Sequence, residues 1–558
     1  MKNSYHPLSR RRFLQLAAAS STSLAFGGVG AYPLAAPNGA ATNKDWQQGE
    51  LKHLIPLVNH HQMLIKTSFE KPLDFTPMLR VDDKMIMGKR TDTLGRFWQF
   101  FVTDLQADQQ YELQLTNTSK ETITDSWPLK TFPAPDAEPE SLRIFAFTCA
   151  GGNEDVAFPD GTHFFQSLAV RQALFKRGLS FNPDVVISNG DHIYWDQRSA
   201  FMRPDHKPEF REPWLKAFEE YGYMDRDKPV LGTENESILT GIVDAQIADL
   251  YGVTFRSVPV FMLTDDHDMF ENDDATEDLI TLPPDPHMLD SARTTQSLYY
   301  PEFLPDDTRP VKLSGSNNAD RLSGLSENFG TLRYGSLFEG LLYDTKRFST
   351  IDGANAQVIP LEAEHWLAQR NASDDVQHLA HIPSTPIGWS AGKWGEWYPD
   401  VLQANGKLGK QTPKPYWPEG WWLQHQRILT SIHKQTDRAP VIMSGDLHAF
   451  SCGKIRTSGE LDFSDNPINT MCVGTVGSSD PVFASWYRKV GPQIPTDMEL
   501  ENLFPPLEKN GFSIIDVTPE KITVNMFAWR QPESVDAIET MEPFFSYDIA
   551  RPKGNAKA

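Results

Sequence analysis

Four short apolar runs in this chain each give way, at their carboxyl end, to a residue type that holds metal ions. Residues 142–148 lead to Cys149, and residues 184–188 lead to Asn189-Gly190-Asp191-His192-Ile193-Tyr194. Residues 260–263 lead to Thr264-Asp265-Asp266-His267-Asp268, followed by Glu271-Asn272-Asp273, and residues 441–443 lead to Ser444-Gly445-Asp446-Leu447-His448. Short β-type runs of this length read as buried strands. Between some of them lie helical patterns: Phe164, Leu168 and Phe175 fall on one helical face, and 238–250 is similarly periodic. Strands alternating with helices predict an α/β domain, whose sites gather at the carboxyl ends of the strands. Hard carboxylates and imidazole drawn from several strand ends are what a site for two metal ions requires.

Taken singly, each motif has a plainer explanation. Gly-Asp after a strand is commonly a turn, with Asp capping the next helix. The run 265–268 reads equally as a solvated acidic loop, Cys149 as a small buried hydrophobe, and His448 as a structural histidine. The order of the four placements carries the argument, not any one of them.

The rest of the chain organises around this region. At 558 residues it exceeds one ordinary core,. Short strands such as 61–66, 97–102 and 111–115, separated by turns, predict a small antiparallel sandwich over 43–138. Residues 133–140, Pro-rich and acidic, read as a linker,. The α/β domain is expected over 139–545 with a tail over 546–558, and 512–517 and 522–527 flank a turn as a closing hairpin. At the other end, Ser9-Arg10-Arg11-Arg12-Phe13-Leu14-Gln15 precedes a soft Ala/Ser-rich stretch. That pattern over 1–42 resembles a twin-arginine signal, whose substrates cross the membrane folded. No other segment is apolar enough to span a bilayer, so the mature chain is expected to be soluble, in the periplasm or secreted.

A net charge of −22 argues against a nucleic-acid-binding surface but not against a phosphate substrate, because a bound metal can supply the positive charge,. Three cysteines, Cys149, Cys452 and Cys472, allow one disulfide with one thiol left over,. Six tryptophans (Trp389, Trp394, Trp397, Trp417, Trp421 and Trp422) crowd residues 389–422, either as an aromatic rim gripping an apolar substrate moiety or as packing under a long loop,.

The order Gly-Asp-x-x-Tyr, Asp-Asp-His-Asp, Gly-Asp-x-His closely resembles the metallophosphoesterases of the alkaline phosphatase D (PhoD-like) type. Leu332-Arg333-Tyr334-Gly335 and Leu342-Tyr343-Asp344-Thr345-Lys346 resemble that family's central strand region. Residues 424–428 resemble its closing helix, and 64–98 its N-terminal fibronectin-like domain. The resemblance implies a calcineurin-like four-layer α/β sandwich and a binuclear centre, Fe3+ plus Ca2+ or another divalent ion. Cys149, Asp191, Tyr194 and Asp446 match the ferric ligands. Asp191 would bridge to the second ion, with Asn272 as a further ligand and Asp273 as its competitor, and with Asp266 and His448 close by. His267 matches the imidazole that assists the leaving group.

Two departures stand out. Cys149 is followed by Ala150-Gly151-Gly152 rather than Gln or Asn, and the stretch between His267 and Asn272 is one residue longer than expected. The implied activity is hydrolysis of phosphoesters, diesters rather than monoesters only, by a metal-bound hydroxide. Two alternatives are a phospholipase acting on lipid head groups and a non-catalytic extracytoplasmic protein that binds phosphate or metal.

Overall fold

The computed structural model describes residues 46–196, 198, 208–316 and 318–552. The signal expected over 1–42 and residues 553–558 of the expected tail lie outside the described residues. Residues Thr42–Ala558 form one compact unit.

Two antiparallel sheets of four strands open the described chain. Leu51–Val58, Met63–Phe69 and Phe97–Val102 pair in one, closed by Lys89–Arg90. Lys84–Met87, Met78–Val81, Gln110–Thr116 and Trp127–Lys130 make the other. Leu64 and Phe100 of the first share a buried cluster with Leu79, Leu113 and Trp127 of the second.

Two larger sheets follow. In the first, β1 (Leu142–Phe147), β2 (Val185–Asn189) and β3 (Val260–Leu263) run parallel, with β2 between the others. Asn510–Thr518 joins β1 antiparallel and turns through the expected hairpin into Lys521–Trp529. Phe545–Ala550 then closes the edge, so the first five residues of the expected tail, 546–550, belong to a strand. In the second sheet, Phe338–Tyr343, His378–Pro383, β4 (Val441–Ser444) and Ile468–Val473 are parallel neighbours. The architecture is therefore mixed α/β with several sheets.

Side chains one residue apart on a strand point to opposite faces, and here the two faces belong to different cores. Ile144, Ile187, Leu263, Leu342 and Met443 lie in the cluster shared with the N-terminal strands. Their neighbours Phe145, Val186, Met262, Leu341 and Ile442 lie in a second cluster with helical residues such as Leu174, Phe175, Trp366 and Leu429. Each large sheet is thus buried on both faces, which is why its strands read as continuous apolar runs rather than as alternating ones.

Two helical expectations need correction. Helix Leu168–Leu179 starts after Ser167, whose hydroxyl accepts from Val170 N, so Phe164 lies outside it; its neighbour Phe165 bridges to Ser478. The 238–250 pattern is helical throughout but not uniform: Glu234–Val243 is α, Asp244–Ala248 is π and Asp249–Tyr251 is α again. Such π segments often mark functional sites. This one carries Gln246, whose Oε1 accepts from Gly152 N and Tyr194 N at 2.8 Å each. Among the described residues no helix is long and apolar enough to cross a membrane. All three cysteines are free and buried.

Candidate metal centre

The carboxyl ends of β1, β2, β3 and β4 converge where the two large sheets meet, and the sheets touch through a parallel bridge between Thr148 and Thr475. Close approach demands glycine at two points. A Cβ on Gly190 (φ +81°) would stand 2.6 Å from Asp265 Cβ, and one on Gly445 would stand 2.5 Å from Asn189 O,. Immediately beside these glycines the chain uses Cys149, Asp191, Asp446 and His448 in the same left-handed region, with φ between 50° and 63°. For residues with a Cβ that conformation is uncommon.

Cys149 Sγ lies 3.2 Å from Asp191 Oδ2, and Tyr194 OH lies 3.2 Å from the same oxygen. His448 Nε2 is 3.4 Å from Tyr194 OH and 3.8 Å from Asp191 Oδ2. Cys149, Asp191 and His448 each offer a ligand atom within 4.8 Å of the others, as do two further triads, Asp191–Asp266–His267 and Asp265–Asp266–Asp446. Every sequence-predicted site residue is in or beside this cluster. Asn272 lines the same cleft with its Oδ1 unpartnered, while Asp273 Oδ2 is engaged by Lys346 Nζ at 3.1 Å.

The cluster's hydrogen bonding is incomplete in a telling way. Asp191 Oδ1, both oxygens of Asp265, Asp266 Oδ1, Asp273 Oδ1 and Asp446 Oδ2 are buried and have no hydrogen-bond partner among the described residues. Buried polar atoms are nearly always paired, and leaving one unpaired costs roughly 1–3 kcal/mol, more if charged. A crowd of orphaned anionic oxygens is the donor set a cation satisfies, so the residues present fit a metal centre.

The electrostatics agree. Burial, with Asp266 and Asp446 nearby, pushes the Asp191 carboxyl up to about 7 against the pull of His267 and Lys393. Burial also raises the Cys149 thiol and the Tyr194 phenol well above their ordinary ranges. All three would be held as anions by a bound cation. Burial lowers His448 to about 3, so its imidazole is neutral. With Nδ1 hydrogen-bonded to Ser478 Oγ at 2.6 Å, Nε2 is free to act as a ligand,. His267 behaves oppositely. Burial pulls it down, but Asp196, Asp266 and Asp191 outweigh that and hold it at about 10. Its Nδ1–H donates to Asp196 Oδ1 at 2.8 Å. Asp268 is structural: its carboxylate accepts from the backbone N–H groups of Asp191, His192, Ile193 and Asp265, tying the β2 and β3 ends together.

A cleft opens onto the cluster. Its lining combines the polar residues His267, Asn272, Lys393, Asp446, His448 and Arg488 with the apolar Phe165, Trp214, Val482 and Tyr487. None of the six tryptophans of 389–422 lines it. Trp389, Trp394, Trp397 and Trp421 are buried in the core and the other two pack against it, so packing is their role. What that segment does send to the site is Lys393, which the sequence reading missed. Its Nζ contacts Asp446 Oδ1 and lies 3.1 Å from Asp266 Oδ2 and 3.8 Å from Asp273 Oδ2. Asp196, Lys346 and Ser478 were likewise not singled out for the site. No local pattern marks them, because each meets its partner across a long stretch of chain.

No family model matches the sequence, and no curated protein matches it either. Solved structures do. A structure of PhoD is similar over 92% of this chain and 92% of its own, at 13% identity and a TM-score of 0.57. A purple acid phosphatase isolated from yellow lupin (Lupinus luteus) seeds is similar over 90% of this chain and 74% of its own, at 12% identity and a TM-score of 0.52. At these identities the likeness is one of fold.

Proposed function

We propose that this chain is a PhoD-like metallophosphoesterase that hydrolyses small phosphoesters, diesters included and not monoesters only. The observation that carries the reading is the strand-end cluster of unpartnered buried carboxylate oxygens beside a thiol, a phenol and a neutral imidazole, at the floor of a cleft. The two fold neighbours, PhoD and a purple acid phosphatase, support it. In this reading Cys149, Asp191, Tyr194, Asp446 and His448 hold one ion, ferric iron, and Asp191, Asp266 and Asn272 hold a second, calcium or another divalent cation. When bound, such ions lower the pKa of water from 15.7 towards neutrality and neutralise charge on phosphoryl oxygens.

The protein's own groups do the rest. His267, protonated at neutral pH and held by Asp196, donates a proton to the leaving oxygen, a contribution of about 10²–10⁴ in rate. Asp268 keeps Asp191 and Asp265 in place through their backbones. The apolar residues of the cleft lining exclude water from part of the substrate and accommodate an apolar ester group. The N-terminal sheets form a fibronectin-like module, and the α/β part a calcineurin-like four-layer sandwich. Export in the folded state by the twin-arginine machinery completes the reading, since metal is then loaded and Cys149 buried before an oxidising compartment is met.

The test is initial-rate hydrolysis of paired chromogenic diester and monoester substrates, with calcium supplied and with it chelated. Calcium-dependent turnover that Asp191→Asn abolishes supports the reading; turnover retained in that variant sinks it. The phospholipase alternative loses its motivating observation, because the tryptophans pack away from the cleft. Release of choline or phosphatidate from lipid vesicles would restore it. Tight metal or phosphate binding without turnover of any ester would favour the binding-protein alternative.

A further inference from the structure

Lys393 is the most unusual residue of the cluster. A buried lysine needs a counter-charge, and this one has three: Asp446, Asp266 and Asp273 surround its ammonium,. A second ammonium, Lys346, lies 3.1 Å from the same Asp273 oxygen, Oδ2. Five buried carboxylates (Asp191, Asp265, Asp266, Asp273 and Asp446) thus face two ammonium groups. The lysines neutralise the part of the cluster built from β3 and β4. The part built from Cys149, Asp191, Tyr194 and His448 has no ammonium contact.

Asp266 and Asp446 are also two of the three residues whose oxygens converge as a possible ion-binding triad with Asp265. Each keeps one oxygen unpartnered and gives the other to Lys393. An ion bound there would share its carboxylates with an ammonium. Two like charges a few ångström apart in a buried site repel strongly, so the ion and the ammonium cannot both hold the same oxygens without loss.

We propose that Lys393 is an internal counter-cation that contends with the metal ions for their carboxylates, with the second ion for Asp266 and with the first for Asp446. The inference rests on the metal-centre reading. The first ion meets the ammonium at Asp446 alone and keeps Cys149, Asp191, Tyr194 and His448. The second binds at Asp266 only when the ammonium gives that carboxylate up, so its occupancy follows the free concentration of that ion. Lys393 leaves through the cleft, into which it already faces.

The experiment is a calorimetric titration of calcium into protein whose first position is filled with iron, comparing wild type, Lys393→Met and Lys393→Arg. Met keeps the length and removes the charge, so calcium binding should tighten by more than about tenfold, while Arg should leave it weak. Calcium affinity that is unchanged or lower in Lys393→Met overturns the proposal. Failure of iron to bind at all would instead strike the metal-centre reading itself, so the two failures are distinguishable. Should Lys393→Met not fold, the wild type decides. Reductive methylation followed by mass spectrometry should modify Lys393 more readily when calcium is saturating than when it is chelated. Equal modification in both states overturns the proposal.

Discussion

Replacing Asp196 with Asn separates a proton donor from a structural histidine at position 267. Asp196 is buried, and its Oδ1 accepts from His267 Nδ1 at 2.8 Å. A hydrogen bond to a charged group contributes about 1.5–3 kcal/mol. At 1.36 kcal/mol per unit, losing it lowers the imidazolium pKa by about one to two units from its position near 10. Because His267 works in its protonated form, activity declines as pH rises through that pKa, and the decline in Asp196→Asn should begin one to two units lower. The assay is kcat against pH for two diesters, one with an aryl leaving group and one with an alkyl leaving group. The alkyl ester needs protonation at the leaving oxygen, so its rate relative to wild type should fall by no more than about twofold at pH 8 and by about five- to fifty-fold at pH 10, as the protonated fraction of His267 falls,. The aryl ester should lose far less. Equal losses for both, or an unmoved alkaline limb, would refute the role of His267 as the acid. The same pair bears on stability. His267 has a raised pKa in the fold, so its contribution is full below the unfolded value of 6.5 and is lost as pH rises through about 10,.

Other consequences can be measured directly. Trp389 is fully buried, so Trp389→Ala should cost about 3–5 kcal/mol in denaturant unfolding, with KM unchanged; a raised KM at intact stability would return these tryptophans to the substrate,. Chelation should lower the thermal midpoint by several degrees, and added metal should restore it. Asp191→Asn should blunt that response; an equal response in the variant would place the bound ion elsewhere. Burial holds His53 and His378 near 4, and His381 and His425 near 3, so all four are neutral in the fold. Their contribution is present above pH 6.5 and is lost as pH falls from 6.5 towards 4, about 3 kcal/mol for His53 alone. Urea midpoints across that range should therefore drop, and flat midpoints would refute neutral burial.

What could be read from the sequence was what is contiguous in it. An apolar run followed within a few residues by a thiol, carboxylate or imidazole places a candidate ligand at a strand end, and Cys149, Asp191, Asp266 and Asp446 all follow that rule. Lys393 follows none. It sits in a loop of Gly and Trp with no periodicity and reaches Asp266 across 127 residues of chain. Asp196 lies two residues past the Asn189–Tyr194 motif, and its orientation toward His267 depends on the packing of two separate loops. The helix beginning at Leu168 was misplaced because Phe164 has helical spacing by coincidence, whereas Ser167, an N-cap in full view, marked the true start,. The π segment around Gln246 left no trace because one inserted residue barely disturbs a 3.6-residue pattern. Burial on both faces of the large sheets was legible only as hydrophobicity. The alternation of cores along each strand emerged once two sheets and their helices were in place.

The backbone at these ligands offers a separate handle on function, because its strain can be measured without substrate or metal. Asp446 holds φ +63° although Gly445, beside it, could take that conformation freely. For a residue with a Cβ the left-handed region costs about 1–2 kcal/mol. Glycine avoids that cost but loses about 0.5–1 kcal/mol through its freer unfolded chain. Asp446→Ala and Asp446→Gly both delete the carboxylate and both disturb Lys393, so they differ only in backbone terms. In chelated protein the Gly variant should therefore be the more stable, by up to about 1 kcal/mol. Asp266 is the control. Its φ of −59° and ψ of −46° are ordinary helical values, so there the order should reverse, with Ala more stable than Gly. If Ala matches or exceeds Gly at 446 as it does at 266, the β4 end carries no strain and its geometry needs another explanation. If the order inverts between the two positions, Asp446 is kept against a backbone preference that glycine would satisfy. A carboxylate retained at that cost points to a task for its side chain, and holding a cation is the task its unpartnered Oδ2 fits,.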